Sequence, residues 1–287
     1  MKLSQKQFEI LVCVEIGKTY NEIVSRLQSL WECPEEEIAE DFNVLLDNMV
    51  LNTKGDNYFL SDRGYKVLEP YKVEKAIFFA AGLGSRMEPV TSDCPKPLVK
   101  VNGQSMIQTL LDAVVKVGIQ DITVVVGHLA DQFDELKEKY PMIEFVYNKN
   151  YACENNISSA YIVRDKLSNS YVLESDLVLY NPEIIRKYEY TSNYIGYKTQ
   201  YTDDWCFKVD GKYIKQVLIG GSDVYHMYGI SYWSEEDGLR LSKDIATVYE
   251  SDAGKQKYWD EVALRDYKDK YNIMIRPVLK EDIVEID

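Results

Sequence analysis

No stretch of this 287-residue chain is apolar for the roughly 20 residues that a membrane-crossing helix needs. The longest apolar run, around Ala76 to Leu83, is strand-sized and holds a glycine. The opening MKLSQKQFEI lacks the apolar centre of a secretory signal. A cytoplasmic protein with no membrane partner is expected. The five cysteines (Cys13, Cys33, Cys94, Cys153, Cys206) are odd in number and never spaced C-x-x-C, which argues against a disulfide framework and against a zinc site. Glycine (15) and proline (8) are scarce, and 46% of residues are hydrophobic, which excludes collagen-like and disordered classes. Basic residues are also short: 33 Lys and Arg against 47 Asp and Glu leave a net charge of −14. Such a field repels nucleic acid and anionic lipid, so any anionic ligand must be met locally. There is no internal repeat.

What is present divides near residue 72. Leu3 to Ile16 and Tyr20 to Leu30 carry apolar residues at three-and-four spacing, and Pro34 followed by Glu35, Glu36 and Glu37 opens a third helix reaching about Asn48. Lys54-Gly55-Asp56-Asn57 then reads as a hairpin turn, and Ser61 to Tyr71 as a helix broken at Pro70. Residues 1–72 resemble a winged helix-turn-helix domain. Its third helix would face DNA, yet it carries six acids (Glu35, Glu36, Glu37, Glu40, Asp41, Asp47) and no Lys or Arg. Residues 1 to 70 hold seven basic and thirteen acidic side chains, net −6. That balance argues against DNA and for a docking or regulatory module with a protein partner or a second copy of the chain.

From residue 73 to 287, strands alternate with amphipathic helices: strands at Lys75 to Ala80, Asp121 to Val126, Ile143 to Tyr147 and Tyr171 to Ser175, helices at Ser105 to Val117 and Asp131 to Tyr140. The expected fold is α/β, a mostly parallel Rossmann-like sheet with helices on both faces. Past Ser192 come short aromatic strands (Tyr194 to Thr199, Cys206 to Val209, Tyr213 to Leu218, Val224 to Trp233) and helices near Glu235 to Tyr249 and Gln256 to Tyr267, an antiparallel substrate-binding part.

Directly after the first strand runs Ala80-Ala81-Gly82-Leu83-Gly84-Ser85-Arg86, then Pro89, Thr91 and Pro95-Lys96-Pro97. Gly82 and Gly84 leave backbone amides open to phosphate oxygens. No G-K-[ST] follows and no third glycine, so this is neither a P-loop nor a dinucleotide fingerprint. The run resembles the signature A-A-G-x-G-[ST]-R, proline, threonine, P-K-P of the nucleotidyltransferases that join a nucleoside monophosphate to a phosphorylated small molecule. By that resemblance Ala81, Gly82, Gly84 and Ser85 bind nucleotide, Arg86 holds the departing pyrophosphate and Lys96 meets the reacting phosphates.

Such chemistry calls for Mg²⁺ and carboxylates. Asp176, after the apolar strand in LESDL, stands where the family places its first metal-binding aspartate; a strand-end cap is the other reading of it. The closing residues resemble the stretch that supplies the second ligand, giving Asp287 with Glu285 in reserve. The segment from Asn148 to Ser159 resembles the N-x-x-Y-x-x-x-N-N-x-x-S stretch of bacterial CTP:phosphocholine cytidylyltransferases, which implies Tyr151, Asn155, Asn156 and Ser159 beside the cytidine, with Gly127 a further base-side position. Trp205, Asp204, Tyr228, Tyr232 and Trp259 are the candidate substrate-binding residues, ring faces and charge for a quaternary ammonium. Aromatics at alternate strand positions also serve as core. The resemblance implies transfer of CMP from CTP to phosphocholine or another phosphorylated amino alcohol. Phosphoethanolamine, 2-aminoethylphosphonate, a sugar 1-phosphate and a nucleotide-sensing regulator remain as alternatives.

Overall fold

Hydrophobic periodicity and burial coincide along the chain in a computed structural model, which describes residues 1–55 and 57–286. Asp56, part of the expected hairpin turn, and Asp287, the expected metal ligand, lie outside the described residues. The chain divides into two compact units, Met1–Lys72 with Tyr188–Tyr190, and Val73–Lys187 with Thr191–Asp287.

The first unit contains α1 (Gln5–Glu15), α2 (Tyr20–Trp31), α3 (Glu35–Asp47), β1 (Leu51–Lys54), β2 (Asn57–Leu60) and α4 (Asp62–Leu68). Ser4 and Thr19 start α1 and α2 with reciprocal capping by Gln7 and Glu22, and α3 begins after Pro34 with three glutamates in its first turn, where the helix dipole favours them. β1 and β2 pair antiparallel, Leu51 opposite Leu60. Phe8, Leu11, Ile23, Leu27, Ile38 and Phe42 form the core. Tyr188 joins it at 2% exposure. Tyr190 stacks on Tyr71 (centroids 5.7 Å apart), packs against Phe8 (5.4 Å) and donates its hydroxyl to Leu3 O (3.1 Å).

In the second unit, β3 (Lys75–Ala80), the short pair β4 (Lys100–Val101) and β5 (Gln104–Ser105), α5 (Met106–Lys116), β6 (Asp121–Val126), α6 (Leu136–Lys139), β7 (Ile143–Tyr147), α7 (Ile157–Ile162), β8 (Ser170–Glu174) and β9 (Leu177–Leu179) precede a hairpin of β10 (Asn193–Asp210) and β11 (Tyr213–Trp233), then α8 (Glu235–Tyr249), β12 (Met274–Pro277) and β13 (Ile283–Glu285). The seven-stranded sheet has the order β10-β12-β11-β8-β3-β6-β7. β3 is parallel to β6 and β8, β6 to β7 and β10 to β12, while β11 runs antiparallel to β8 and β10. β3 is KAIFFA and β6 DITVVV because both faces are covered. Ala76, Phe78, Ala80, Val124 and Val126 pack on one side, Ile77, Phe79, Ala81 and Val125 on the other. The α/β, mostly parallel sheet expected from the alternation is the one observed.

Two expectations are corrected. The four short aromatic strands are one long hairpin, since the polar Asp203-Asp204 pair, opposite Gly220, forms a bulged register shift instead of a break. Asp131 to Tyr140 is a 3₁₀ segment, Ala130–Glu135, leading into the single turn of α6, and Gln256 to Tyr267 holds only a five-residue π-type turn at Val262–Asp266.

Tyr188→Ala removes a ring from the first unit's core and is expected to lower its stability by about 3 kcal/mol or more in a urea melt followed by tyrosine fluorescence.

Candidate active site

β3, β6 and β8 run parallel, so the residues that follow them, Ala81-Gly82, Gly127 and Ser175-Asp176, emerge at one edge of the sheet, where parallel sheets receive ligands. A cavity of ≈ 290 Å³ opens there. Ala81, Gly82, Gly84, Arg86 and Lys96 line it together with Asn148, Tyr151, Asn155, Asn156 and Ser159, and with Glu174, Ser175 and Asp176. Residues from three separate stretches of chain, 81–96, 148–159 and 174–176, are thus collected.

A Cβ at Gly82 would meet nothing within 4 Å, so its backbone faces open space. Gly84 has φ +66 and a Cβ there would come within 3.0 Å of Lys96 Cβ. Glycine therefore lets the loop close down on the lysine stem, and Thr91 Oγ1 ties it by donating to Gly84 O at 2.7 Å. Ser85 is exposed at the start of a 3₁₀ turn, Ser85–Met87, that also carries the exposed Arg86. Lys96 lies in a second 3₁₀ turn, Lys96–Leu98, with Pro95 as its cap and Pro97 inside it. Only 8% of Lys96 is exposed, and its Nζ lies 3.0 Å from Asp176 Oδ2. Asp176 Oδ1 is buried with no hydrogen-bond partner among the described residues, as is the hydroxyl of Ser175.

β13 brings in the chain's last strand. Glu285 pairs with Leu177, and the Ile286 N–H donates to Asp176 O at 3.1 Å, which places the reserve metal candidate beside the first. Ligand atoms of Glu285, Asp204 and His226 lie within 4.8 Å of one another. Glu174, the last residue of β8 and two before Asp176, was missed in the sequence. A Cβ at Gly229 would stand 2.7 Å from Glu174 Cβ, so only glycine leaves this side chain its room. Burial pushes the Glu174 carboxyl well above the usual range, and the carboxylates of Asp176, Asp260 and Glu285 add to the effect against the pull of Lys96.

On the loop after β7, Asn148 Nδ2 donates to Ser158 Oγ (2.9 Å) and Ser159 Oγ (3.0 Å), all three residues being buried. Gly127 lies under Tyr151: a Cβ there would be 2.7 Å from Tyr151 Cβ and from Ala81 O. The aromatic candidates separate. Trp205 meets Tyr258 edge-on at 5.6 Å, with the Arg265 guanidinium 4.9 Å from its centroid. Asp204 is exposed beside it. Tyr228 is buried, packs against Tyr197 and His226, and donates to Ile283 O at 2.9 Å. Tyr232 and Trp259 are core residues: Tyr232 lies against Tyr171 with its hydroxyl donated to Asn169 Oδ1, and Trp259 sits among Phe79, Tyr194 and Trp233 at 2% exposure. Alternate strand positions facing the sheet interior account for Tyr232.

Residues 76–204 match the MobA-like NTP transferase domain. The chain is 40% identical over 217 residues to the 2-aminoethylphosphonate cytidylyltransferase of Lancefieldella rimae, an alignment covering 74% of this chain and 87% of that one. This chain belongs to the MobA-like NTP transferases, with cytidylyltransferases as its relatives. The choline-phosphate cytidylyltransferase of Streptococcus pneumoniae is 31% identical, with 74% of this transferase and 93% of that protein aligned. A solved structure described as a CTP:phosphocholine cytidylyltransferase from Streptococcus pneumoniae superposes with a TM-score of 0.69 at 32% identity, covering 75% and 93% of the two chains. The inositol-1-phosphate CTP transferase structure from T. maritima, at 15% identity and a TM-score of 0.60, shares the fold.

Asp260, buried beside Trp259, has its carboxyl raised to about 6 by burial and by the Glu261 carboxylate. A raised carboxyl stabilises the native state below its unfolded value near 4 and loses that contribution as pH climbs through the folded value. Asp260→Asn is therefore expected to gain stability over the parent between pH 4 and 7, on the order of 2–3 kcal/mol, in paired urea melts across that range.

Proposed function

We propose that residues 73–287 transfer CMP from CTP to a small phosphonate or phosphate that carries a primary ammonium, of the 2-aminoethylphosphonate class, releasing pyrophosphate. The observation that carries the nucleotidyl-transfer part is the buried Lys96–Asp176 pair at 3.0 Å in the cavity that the glycine loop also lines. The acceptor's charge is read from the meeting of Asp204 and Glu285 with His226. A compact ammonium with three donors matches acceptor oxygens better than ring faces.

An oxygen of the acceptor attacks the α-phosphorus in line. The bond from that phosphorus to the bridging oxygen breaks, and pyrophosphate leaves with the electron pair. Lys96 neutralises charge at the reacting centre, while Arg86 and the amides near Gly82 and Gly84 hold the leaving group. Tyr151, Asn148 and Ser159 form the cytidine side, with Gly127 admitting the Tyr151 ring. No general base is needed, because the attacking oxygen is already ionised near neutral pH. The unpartnered Oδ1 of Asp176 and the neighbouring Glu285 suit a hard divalent cation, which Asp176, Glu285 and, by its place in sequence, Asp287 would hold. When bound, Mg²⁺ screens the charge of the polyphosphate.

Phosphocholine is the second reading. The Trp205–Tyr258 ring pair beside Asp204 favours it, since a quaternary ammonium is drawn to ring faces. Residues 1–72 we read as a winged-helix module for docking or regulation, its acidic third helix being unsuited to duplex DNA.

Lys96→Ala and Asp176→Ala should each lower CTP-dependent pyrophosphate release about a hundred- to a thousandfold without loss of the folding transition. Near-normal release by either variant refutes the assignment. With CTP and Mg²⁺, turnover should fall in the order 2-aminoethylphosphonate, phosphoethanolamine, phosphocholine. Asp204→Asn should raise KM for the primary amines roughly tenfold and leave phosphocholine less affected. A preference for phosphocholine that Asp204→Asn does not alter selects the second reading.

A further inference from the structure

Asn155 and Asn156, expected from sequence to face the base, have their polar atoms engaged elsewhere. The Asn155 main-chain N–H donates to Lys255 O at 2.9 Å, and its Nδ2 donates to Gln256 O at 3.1 Å. Gln256 Nε2 returns a bond to Cys153 O at 3.0 Å. Asn156 Oδ1 accepts the Trp259 N–H at 2.9 Å, which turns its Nδ2 toward Glu174 Oε1, 3.5 Å away. Glu154 adds an ion pair to Lys255 (3.1 Å) and accepts the Tyr249 hydroxyl (2.7 Å). The partners in the three side-chain bonds to Gln256 and Trp259 are 101 to 103 residues apart in sequence, so none of these contacts is local.

The strip they hold, residues 254 to 259, has only one short 3₁₀ turn, Gly254–Gln256, and no strand or helix ladder to fix its path. Its course is set by the crossing bonds together with the Lys257–Asp266 ion pair, the Tyr258 N–H donated to Glu261 Oε2 and the buried Trp259. Tyr258 lies on this strip and lines the cavity, and its ring supports Trp205, the neighbour of Asp204. One loop thus bears Tyr151 and Ser159 on the cytidine side, and the same loop anchors the wall that faces the acceptor.

We infer that Asn155, Asn156 and Gln256 are positioning residues: they clasp the acceptor wall to the nucleotide loop, so that CTP, by ordering residues 148–156, sets the place of Tyr258 and Trp205. The inference rests on the proposed CTP-dependent reaction. Coupling of this kind is reciprocal, so the acceptor in turn tightens CTP.

Steady-state kinetics on the full chain test it, with CTP and 2-aminoethylphosphonate, phosphoethanolamine and phosphocholine as acceptors. Asn155→Asp and Gln256→Glu are isosteric and each removes one donor. Each should raise the acceptor KM roughly three- to tenfold, the loss expected for one hydrogen bond, while kcat and the Kd for CTP, titrated without acceptor, stay within about twofold. Gln256→Lys, which restores a donor, should recover the parent acceptor KM, and melting temperatures should match throughout. A rise in the Kd for CTP measured without acceptor assigns these amides to base reading and overturns the inference, as does an acceptor KM that does not move. A parent protein that releases no pyrophosphate from CTP with any acceptor defeats the functional reading instead, which keeps the two failures apart.

Discussion

A lysine that is only 8% exposed can stay charged in a protein interior when a carboxylate meets it, and Asp176 does so at 3.0 Å. Much of the transferase unit arranges this encounter. Pro95 and Pro97 flank the lysine on a short turn, β8 delivers the aspartate from the middle of the sheet, and Gly84 permits the loop between them to pack on the lysine stem. A buried pair of this kind is weak as a source of stability, because desolvation offsets most of the attraction. On the proposed reading its value lies in preorganisation: charge is in place before a polyphosphate arrives, and little reorganisation remains to be done.

Around that pair the acids outnumber the bases. The carboxylates of Asp176, Asp260 and Glu285 each add to the upward push on the Glu174 carboxyl, and Lys96 is the cation that opposes them there. A chain with net charge −14 that must handle a triphosphate solves the conflict by geometry. On the proposed reading, backbone amides, one arginine and one lysine meet the anion, and the carboxylates stand ready for cations, whether a metal ion or the ammonium of an acceptor.

The sheet was readable from the sequence because β3 and β6 are uninterrupted apolar runs, and a strand buried on both faces leaves that mark. The glycine loop and Lys96 were readable because their side-chain requirements are unusual: two bare backbones and a cation between prolines. The antiparallel part was less so. The bulge at Asp203-Asp204 opposite Gly220 imitates a strand end, and a sequence does not distinguish a ring that faces a ligand from one that faces a sheet, as Tyr232 and Trp259 illustrate. Glu174 escaped notice because its neighbours Asn156 and Gly229 are distant in sequence. The amides of Asn155 and Asn156 have the right chemistry for a base edge, and only three-dimensional placement reveals that they are bonded to residues 255–259.

Tyr188 and Tyr190 complete the core of a unit whose remaining residues end at Lys72. That unit is discontinuous: a leading segment completed by three residues from far downstream. A chain cut at Lys72 would therefore leave Tyr188 and Tyr190 without the Phe8, Tyr71 and Leu3 groups that surround them, two aromatic side chains bared to water by the loss of a segment more than a hundred residues upstream.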